Sequence, residues 1–263
     1  MRPLKGLCSL VLLVTLSLAV LYFLLMPDIS RMKKENPGKT SFMEYRERES
    51  RGKGKPYRIT QVWVPLSKVS PYVVKAVLIA EDDKFWKHEG FDYEAIQKAM
   101  ERDIKAKKFK LGGSTISQQL AKNLYLSPSK NPVRKIAEAI ITWRMERALS
   151  KKRILELYLN VIEWGDGIFG IEAASRHYYG KSSSQLSPEE AARLAAVLPN
   201  PRKYNPTGNQ RYVLNRSSLI SAIMVKRGIV VPEYHEVWES DEPLPEPGTV
   251  PPVPPIEKLN PAE

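Results

Sequence analysis

The alternation of apolar and polar positions divides the chain into distinct stretches. Residues 6–26 form an apolar run without a charged side chain, and about 20 such residues span the hydrocarbon core of a bilayer as a helix. The run is longer than the apolar part of a typical signal peptide, and no small-x-small cleavage site follows it. The pattern predicts an uncleaved membrane anchor within residues 1–27.

The stretches on either side of the central part are polar. Residues 28–58 are highly charged with little apolar periodicity, which predicts a juxtamembrane linker whose basic side chains face anionic headgroups. Residues 231–263 are rich in proline and acidic residues, a composition that cannot pack a core and is typical of disordered chain. Residues 59–230 are therefore predicted to form the folded domain.

Helix signals dominate this domain. Capping residues and prolines at first helical positions mark the helix starts, and glycines mark several ends. A short extended segment at 59–64 and an irregular loop around Gly165, Gly167 and Gly170 are the expected exceptions. The predicted helices cover residues 71–81, 93–107, 115–126, 132–149, 151–160, 171–179, 188–198 and 209–227. The fold class is predicted to be mainly α.

Composition narrows the possible partners and sites. A formal net charge of +12 over 263 residues predicts an anionic partner, such as nucleic acid, anionic lipid or a phosphate-bearing substrate. Cys8 is the only cysteine and there are three histidines, so neither an internal disulfide nor a structural zinc site is expected. Basic residues on the two sides of the apolar run are nearly balanced, so charge does not determine the orientation of the anchor.

Three acidic residues follow the apolar helix at 71–81. Glu81, Asp82 and Asp83 come directly before two further candidates, Phe85 and His88. Adjacent like charges repel and raise the pKa of a carboxyl group, so folding alone does not favour this cluster at the end of a core helix. A solvated helix end is one interpretation, and a catalytic carboxylate is the other.

A glycine turn before the helix at 115–126 predicts an anion site. Ser114 is the expected cap of that helix, and the free N–H groups and dipole of a helix N-terminus attract anions. Gln118 and Lys122 are four residues apart and share one face, with Gln119 beside them. An ordinary capped helix is the alternative interpretation.

The next two helices carry polar pairs at the same spacing. Arg134 and Glu138 are four residues apart, with Lys135 beside Arg134, which is typical either of an exposed ion pair or of a cationic cleft wall. Glu156 and Asn160 also share a face, and we expect a structural role in which they buttress neighbouring helices.

Taken in order, these segments form a recognisable series. They have the sequences E-D-x-x-F-x-x-H-x-G-F-D, G-G-S-T-I-S-Q-Q-L-A-K-N, R-K-x-x-E and K-x-x-I-L-E-x-Y-L-N. The series resembles the peptidoglycan glycosyltransferase family, whose members polymerise the lipid-linked disaccharide of the bacterial wall. The likeness covers about residues 60–207, and the S-D-N and K-T-G motifs of a transpeptidase are absent, so the chain resembles the monofunctional members.

The resemblance implies a fold and residue roles. The implied fold is a lysozyme-like, two-lobed helical domain with a small membrane-dipping lobe around residues 104–126. Glu81 would be the general base, and Glu138 a second functional carboxylate that lies near the pyrophosphate and acts through a divalent cation, Mg²⁺ or Mn²⁺. The substrate-binding residues would be Asp82, Phe85, His88, Ser114, Thr115, Gln118, Gln119, Lys122, Asn123, Arg134 and Lys135.

The resemblance also implies substrates, partners and location. Lipid II would be polymerised with inversion into β-1,4 glycan, with release of undecaprenyl pyrophosphate. The partners would be the growing lipid-linked glycan, the membrane and other cell-wall synthases, with no nucleic acid. The protein would cross the bacterial cytoplasmic membrane once, with its catalytic domain on the outer, periplasmic face.

Two other functions stay open at this point. A lytic transglycosylase or muramidase also uses a glutamate on a lysozyme-like scaffold but cleaves glycan, and the cationic cluster favours a pyrophosphate leaving group instead. A non-catalytic, membrane-tethered basic protein that binds nucleic acid or anionic lipid would explain the charge of +12 but not the ordered motifs.

Overall fold

The computed structural model describes residues 13, 17, 27–106, 113–128 and 131–230, with the backbone alone at 102–106 and 132. Most of these residues are helical, so the predicted mainly α fold class is confirmed. The helices are α1 (Ser41–Arg51), α2 (Pro71–Glu81), α3 (Tyr93–Ala106), α4 (Ile116–Tyr125), α5 (Pro132–Ala148), α6 (Lys151–Val161), α7 (Ile171–Tyr179), α8 (Pro188–Val197) and α9 (Arg211–Lys226).

Local capping signals set most of the helix starts. The Asp92 side chain accepts a hydrogen bond from the N–H of Ala95 at 2.9 Å, and Asn131 and Ser150 cap α5 and α6 in the same way. The start of α9 is later than predicted, because the Gln210 side chain is bonded to the preceding turn at Asn205 and Lys203.

The start of α4 corrects one prediction. Thr115, and not Ser114, is the N-cap: its hydroxyl accepts from the N–H of Gln118 at 3.2 Å and donates to the carbonyl of Gly90 at 2.7 Å. The Gln118 side chain accepts in return from the N–H of Thr115 at 3.0 Å, which completes a capping box. Ser114 is exposed.

A small sheet replaces the predicted glycine loop, and that prediction is wrong. The strands β1 (Thr60–Gln61), β2 (Glu163–Gly165) and β3 (Ile168–Phe169) lie in the order β1-β3-β2, with β1 parallel and β2 antiparallel to β3. Gly167 makes the turn possible: its φ is +76°, and an added Cβ would lie 2.4 Å from the carbonyl of Arg58.

The core brings the ends of α2 and α4 together. α2 packs against α8 and α9, and α4 packs against α5 and α6. α6 supplies the centre, because its residues 154, 155 and 157–161 are all buried. Trp164 and Phe85 are fully buried beside it. This packing positions Glu81, the last residue of α2, against the face of α4.

Residues 28–58 differ from the linker that their polar composition predicts. They contain α1, which is capped by Thr40 and packs against α4. Ile29 and Met43 are buried, and Arg153 donates to the carbonyls of Met32 and Glu35, each at 2.7 Å. Single buried residues and polar contacts attach this segment, so no apolar stripe marks it in the sequence.

Within the part of the chain that the structure describes, no helix is both long and apolar enough to cross a membrane. Nearly all of the predicted anchor at 6–26, the stretch 107–112 and the proline-rich tail lie outside the described residues.

Candidate active site

A chain of hydrogen bonds holds the carboxylate of Glu81. Its Oε2 accepts from Nε2 of Gln119 at 2.8 Å, and Oε1 of Gln119 accepts from the hydroxyl of Tyr158 at 3.0 Å. Because the Tyr158 hydroxyl bonds the amide oxygen, the amide nitrogen of Gln119 is directed at Glu81. The Glu81 side chain is 13% exposed, so it is largely shielded from water and still reachable.

Burial is the main reason that the pKa of Glu81 lies above its usual range. The Gln119 hydrogen bond and the charges of Arg216 and Lys122 oppose this shift, and the charge of Asp82 adds a small further increase. The raised pKa expected from acidic neighbours therefore comes mainly from desolvation. Asp83 is directed away and pairs with Arg227, with an N–O distance of 2.9 Å.

Asp82 connects the turn after α2 to the start of α4. Its two oxygens accept from Nε2 of His88 at 2.9 and 3.1 Å, and Oδ2 also accepts from the N–H of Ile116 at 2.9 Å. Nδ1 of His88 accepts from the N–H of Gly90 at 3.1 Å, which assigns the ring proton to Nε2. Phe85 is fully buried and meets the His88 ring edge-on.

The predicted anion site at the start of α4 is therefore occupied by the protein itself. The N–H of Ile116 bonds Asp82, and those of Thr115 and Gln118 bond each other's side chains. An acidic side chain at a helix N-terminus is favoured by the helix dipole. Asp82, Phe85, His88, Thr115 and Gln118 thus have internal partners or are buried, and they hold α2 and α4 in register.

A cationic cluster lies one helical turn beyond Gln119. Lys122 projects from the same face of α4, and Asn123 is bonded through its side chain to the carbonyl of Gln119 at 2.8 Å. Glu138 of α5 is buried; it pairs with Arg134 at 2.9 Å and with Lys135. The pKa of Lys122 lies below its usual range, mainly because the side chain is largely buried. The positive charges of Arg134 and Lys135 lower this pKa further, and the negative charges of Glu138 and Glu81 oppose the shift.

Lys122 differs from Arg134 and Lys135, because no carboxylate of the described residues forms an ion pair with it. Among the described residues, its ammonium group makes no hydrogen bond and no ion pair within 4.0 Å. Its positive charge is partly desolvated and is therefore available to an anion that enters the cleft.

Two clefts adjoin the Glu81–Gln119 hydrogen bond. A cleft of about 230 Å³ is lined by Glu81 and by Gly113, Ser114 and Thr115. A second cleft, of about 190 Å³, is lined by Gln119 on one wall and by helix α1 on another. The second cleft also contains Phe42, Arg46, Lys122, Asn123, Tyr158, Glu163 and Asn200. The hydrogen bond between Glu81 and Gln119 links the walls of both clefts.

Several residues of the site were not among those predicted. Tyr158 lies in a motif that we interpret as structural. Arg216 belongs to α9, outside the resembling stretch, and its guanidinium lies 3.6 Å from Oε1 of Glu81. Helix α1 supplies Phe42 from the predicted linker. Glu156 and Asn160 have the structural role that we expected, and they bond the backbone of Leu66 and Val64 in the segment that precedes α2.

The residues around Glu138 do not fit a resident metal ion. Both carboxylate oxygens are already paired with cations, Arg134 and Lys135. Among the described residues there is no group of three or more histidine, cysteine, aspartate or glutamate side chains that could hold a metal. Magnesium needs oxygen ligands, which a lone carboxylate between two cations does not supply.

Comparison with known proteins gives a consistent result. A family model described as Transglycosylase matches residues 50–225. A biosynthetic peptidoglycan transglycosylase of Dechloromonas aromatica (strain RCB) is 53% identical over 189 residues, 72% of this chain and 82% of the relative. Relatives with the same name come from Nitrosospira multiformis, 49% identical over 194 residues (74% and 84%), and Methylobacillus flagellatus, 47% identical over 214 residues (81% and 93%).

Proposed function

The chain belongs to the transglycosylase family, and from this membership we propose that it polymerises lipid II with Glu81 as the general base. It is a peptidoglycan glycosyltransferase, an enzyme that builds glycan strands. The relatives are named as biosynthetic enzymes, which favours synthesis over the lytic reaction. The observation that carries the proposal is the largely shielded Glu81 carboxylate, held by Gln119 where two clefts adjoin.

Glu81 takes the proton in the proposed reaction. The 4-hydroxyl of the acceptor sugar attacks the anomeric carbon of the donor, and its proton passes to the Glu81 carboxylate. A carbon–oxygen bond forms on one face while the bond to the pyrophosphate breaks on the other, so the α-linked donor gives a β-1,4 linkage. A raised pKa brings the basicity of Glu81 closer to that needed at neutral pH.

The cationic cluster receives the departing charge. The pyrophosphate of the undecaprenyl carrier gains negative charge as its bond to the sugar breaks, and preorganised cations stabilise such charge in a partly desolvated site. Lys122 is the group we assign to direct contact, because it lacks a partner among the described residues. Arg134 and Lys135 share Glu138 as a partner, and their charges act on Lys122, which supports a role for both in binding the phosphate oxygens.

The remaining predicted residues divide into two groups. Ser114 lines the cleft that contains Glu81, and Asn123 lines the cleft that contains Lys122, which supports contacts of both with sugar or phosphate. The other group affects the substrate only indirectly, by holding α2 and α4 in register; its members are Asp82, Phe85, His88, Thr115 and Gln118. The divalent cation at Glu138 stays a prediction from the resemblance. No step above depends on it, and polymerisation assayed with a chelator decides it.

We extend the proposal to architecture and location. A lysozyme-like, two-lobed domain would follow a single membrane-spanning helix, with the catalytic domain on the periplasmic face of the cytoplasmic membrane. The apolar run at 6–26 and a lipid-linked substrate support this arrangement. Growing lipid-linked glycan and other cell-wall synthases are the proposed partners.

Glu81→Gln tests the assignment of the base. Glutamine keeps an oxygen acceptor for Gln119 but cannot take up the proton, so we expect polymerisation of lipid II to fall by about 10²–10⁴-fold. The measurement is glycan formation from purified lipid II, with circular dichroism as a check on folding.

The matched control is Glu89→Gln, which changes an exposed glutamate in the turn that follows α2 and should leave the rate unchanged. Full activity in Glu81→Gln would refute the role of Glu81. Release of soluble muropeptides from purified sacculi by the unmodified protein would favour the lytic alternative.

A further inference from the structure

Arg216 approaches the proposed base from a distant part of the chain. One of its terminal nitrogens donates to the carbonyl of Ala80 at 3.1 Å and lies 3.6 Å from Oε1 of Glu81. α9 packs against α2, and this packing brings the guanidinium to the C-terminal end of α2. Among the described residues, Nε of Arg216 is buried and has no hydrogen-bond partner.

The Ala80 hydrogen bond fixes the guanidinium without occupying the carboxylate. Carbonyls in the last turn of a helix lack partners within the helix, and cations are favoured at that end. Arg216 is therefore held by the backbone of α2. Its charge is directed at Oε1 of Glu81, while Oε2 is bonded to Gln119.

The distance of 3.6 Å to Oε1 has a chemical consequence. It is longer than a normal hydrogen bond, so the interaction is electrostatic and leaves a lone pair on Oε1 available. A close bidentate pair would occupy both oxygens and make the carboxylate a poor proton acceptor. The geometry suits a base that must be ionised before the reaction and able to accept a proton during it.

Few charged groups face Glu81. Lys122 approaches from α4, together with the uncharged Gln119; Tyr158 faces it from α6, and Asp82 is its neighbour in the chain. Burial favours the neutral carboxyl group. Of the cations near Glu81, Arg216 favours the ionised carboxylate most strongly. The charge of Lys122 acts on both Glu81 and Glu138.

We propose that Arg216 is a positioning residue: from α9 it keeps the Glu81 carboxylate ionised and leaves Oε1 free to accept the proton of the sugar hydroxyl. This inference rests on the proposed role of Glu81 as the base. It adds a residue of α9 to the immediate surroundings of Glu81, to which α4 and α6 contribute Gln119, Lys122 and Tyr158.

The test is the pH profile of kcat/KM for polymerisation of lipid II by the full-length protein. A carboxylate base is active above its pKa, and removing a nearby positive charge raises that pKa. Arg216→Met should therefore move the acid limb of the profile to higher pH by about one unit or more. Arg216→Lys keeps the charge, so its acid limb should stay within a few tenths of a unit of the wild type.

Arg211→Met removes an exposed arginine from the first turn of the same helix and should leave the profile unchanged. Thermal unfolding identifies any loss of folding. If Arg216→Met does not fold, Arg216→Gln provides the same test, with the same upward shift expected.

An unchanged acid limb in the folded neutral variant would overturn the inference, whether or not KM rises. A raised KM alone would place Arg216 in substrate binding. Failure of the base assignment is distinguishable, because in that case Glu81→Gln stays active. An inactive Glu81→Gln together with a normal profile in Arg216→Met contradicts the role of Arg216 alone.

Discussion

At the residue scale, the Thr115 hydroxyl connects two parts of the site. It accepts from the N–H of Gln118 at the start of α4 and donates to the carbonyl of Gly90 in the turn that follows α2. The same turn holds His88, whose ring bonds Asp82. Thr115 therefore stabilises both the start of the helix that carries Gln119 and the turn behind Glu81.

We expect Thr115→Ala to lower the free energy of unfolding by about 1–2 kcal/mol, because a helix cap and a buried hydrogen bond are lost together. Ser114→Ala is the matched control. Ser114 is exposed and does not cap α4, so its loss should cost less than about 0.5 kcal/mol. Urea unfolding of the two variants measures the difference, and equal stabilities would contradict the assignment of the cap.

At the element scale, helix α1 is attached across the second cleft. Arg46 donates to Oε2 of Glu163 from two nitrogens, at 3.1 and 2.7 Å, and Tyr57 donates to Oε1 at 3.2 Å. The Glu163 side chain is 4% exposed and that of Arg46 is 17% exposed. Burial raises the pKa of Glu163, and these hydrogen bonds oppose the shift. The pair thus connects α1 to β2.

Arg46→Met should lower the free energy of unfolding by about 3 kcal/mol, because it leaves a buried carboxylate without its charged partner. Lys39→Met removes a more exposed ion pair with Glu47 and should cost at most about 1 kcal/mol. Denaturant unfolding of both variants at neutral pH provides the comparison. A loss in Arg46→Met no larger than in the control would show that α1 does not depend on this pair.

At the scale of the whole molecule, the net charge and the apolar run predict two different interactions with the membrane. The net charge of +12 would attract the chain to anionic lipid, an interaction that salt screens. The apolar run at 6–26 would insert as a helix, an interaction that salt does not weaken. The two modes of attachment can therefore be separated experimentally.

We expect the full-length protein to stay in the membrane fraction through a wash at about 1 M salt, where screening acts within about 3 Å, and to leave with detergent. Leu16→Arg, placed within the apolar run, should increase the salt-released fraction, since a central charge disfavours insertion by about 2.5–3.5 kcal/mol. Fractionation followed by immunodetection measures both proteins. Complete release of the unmodified protein by salt would mean surface attachment only.

Much of the fold was predictable because its signals are local. Caps such as Asp92, Asn131 and Ser150 act within three residues, so the helix starts follow from short segments. The motif series also identified the family, since its order and spacing are properties of the sequence. Glu81 became the candidate base by the same route.

The tertiary structure decided how those parts meet. Asp82 bonds the start of α4, Thr115 rather than Ser114 reaches Gly90, and α1 attaches through Glu163, 117 positions from Arg46. Arg216 lies 136 positions from the carbonyl that holds it. Such contacts depend on how helices distant in sequence pack together, and residue periodicity determines only which face of each helix is buried. The sequence alone thus determined the family and the helices of residues 71–227, and packing determined the position of α1 and the environment of the base.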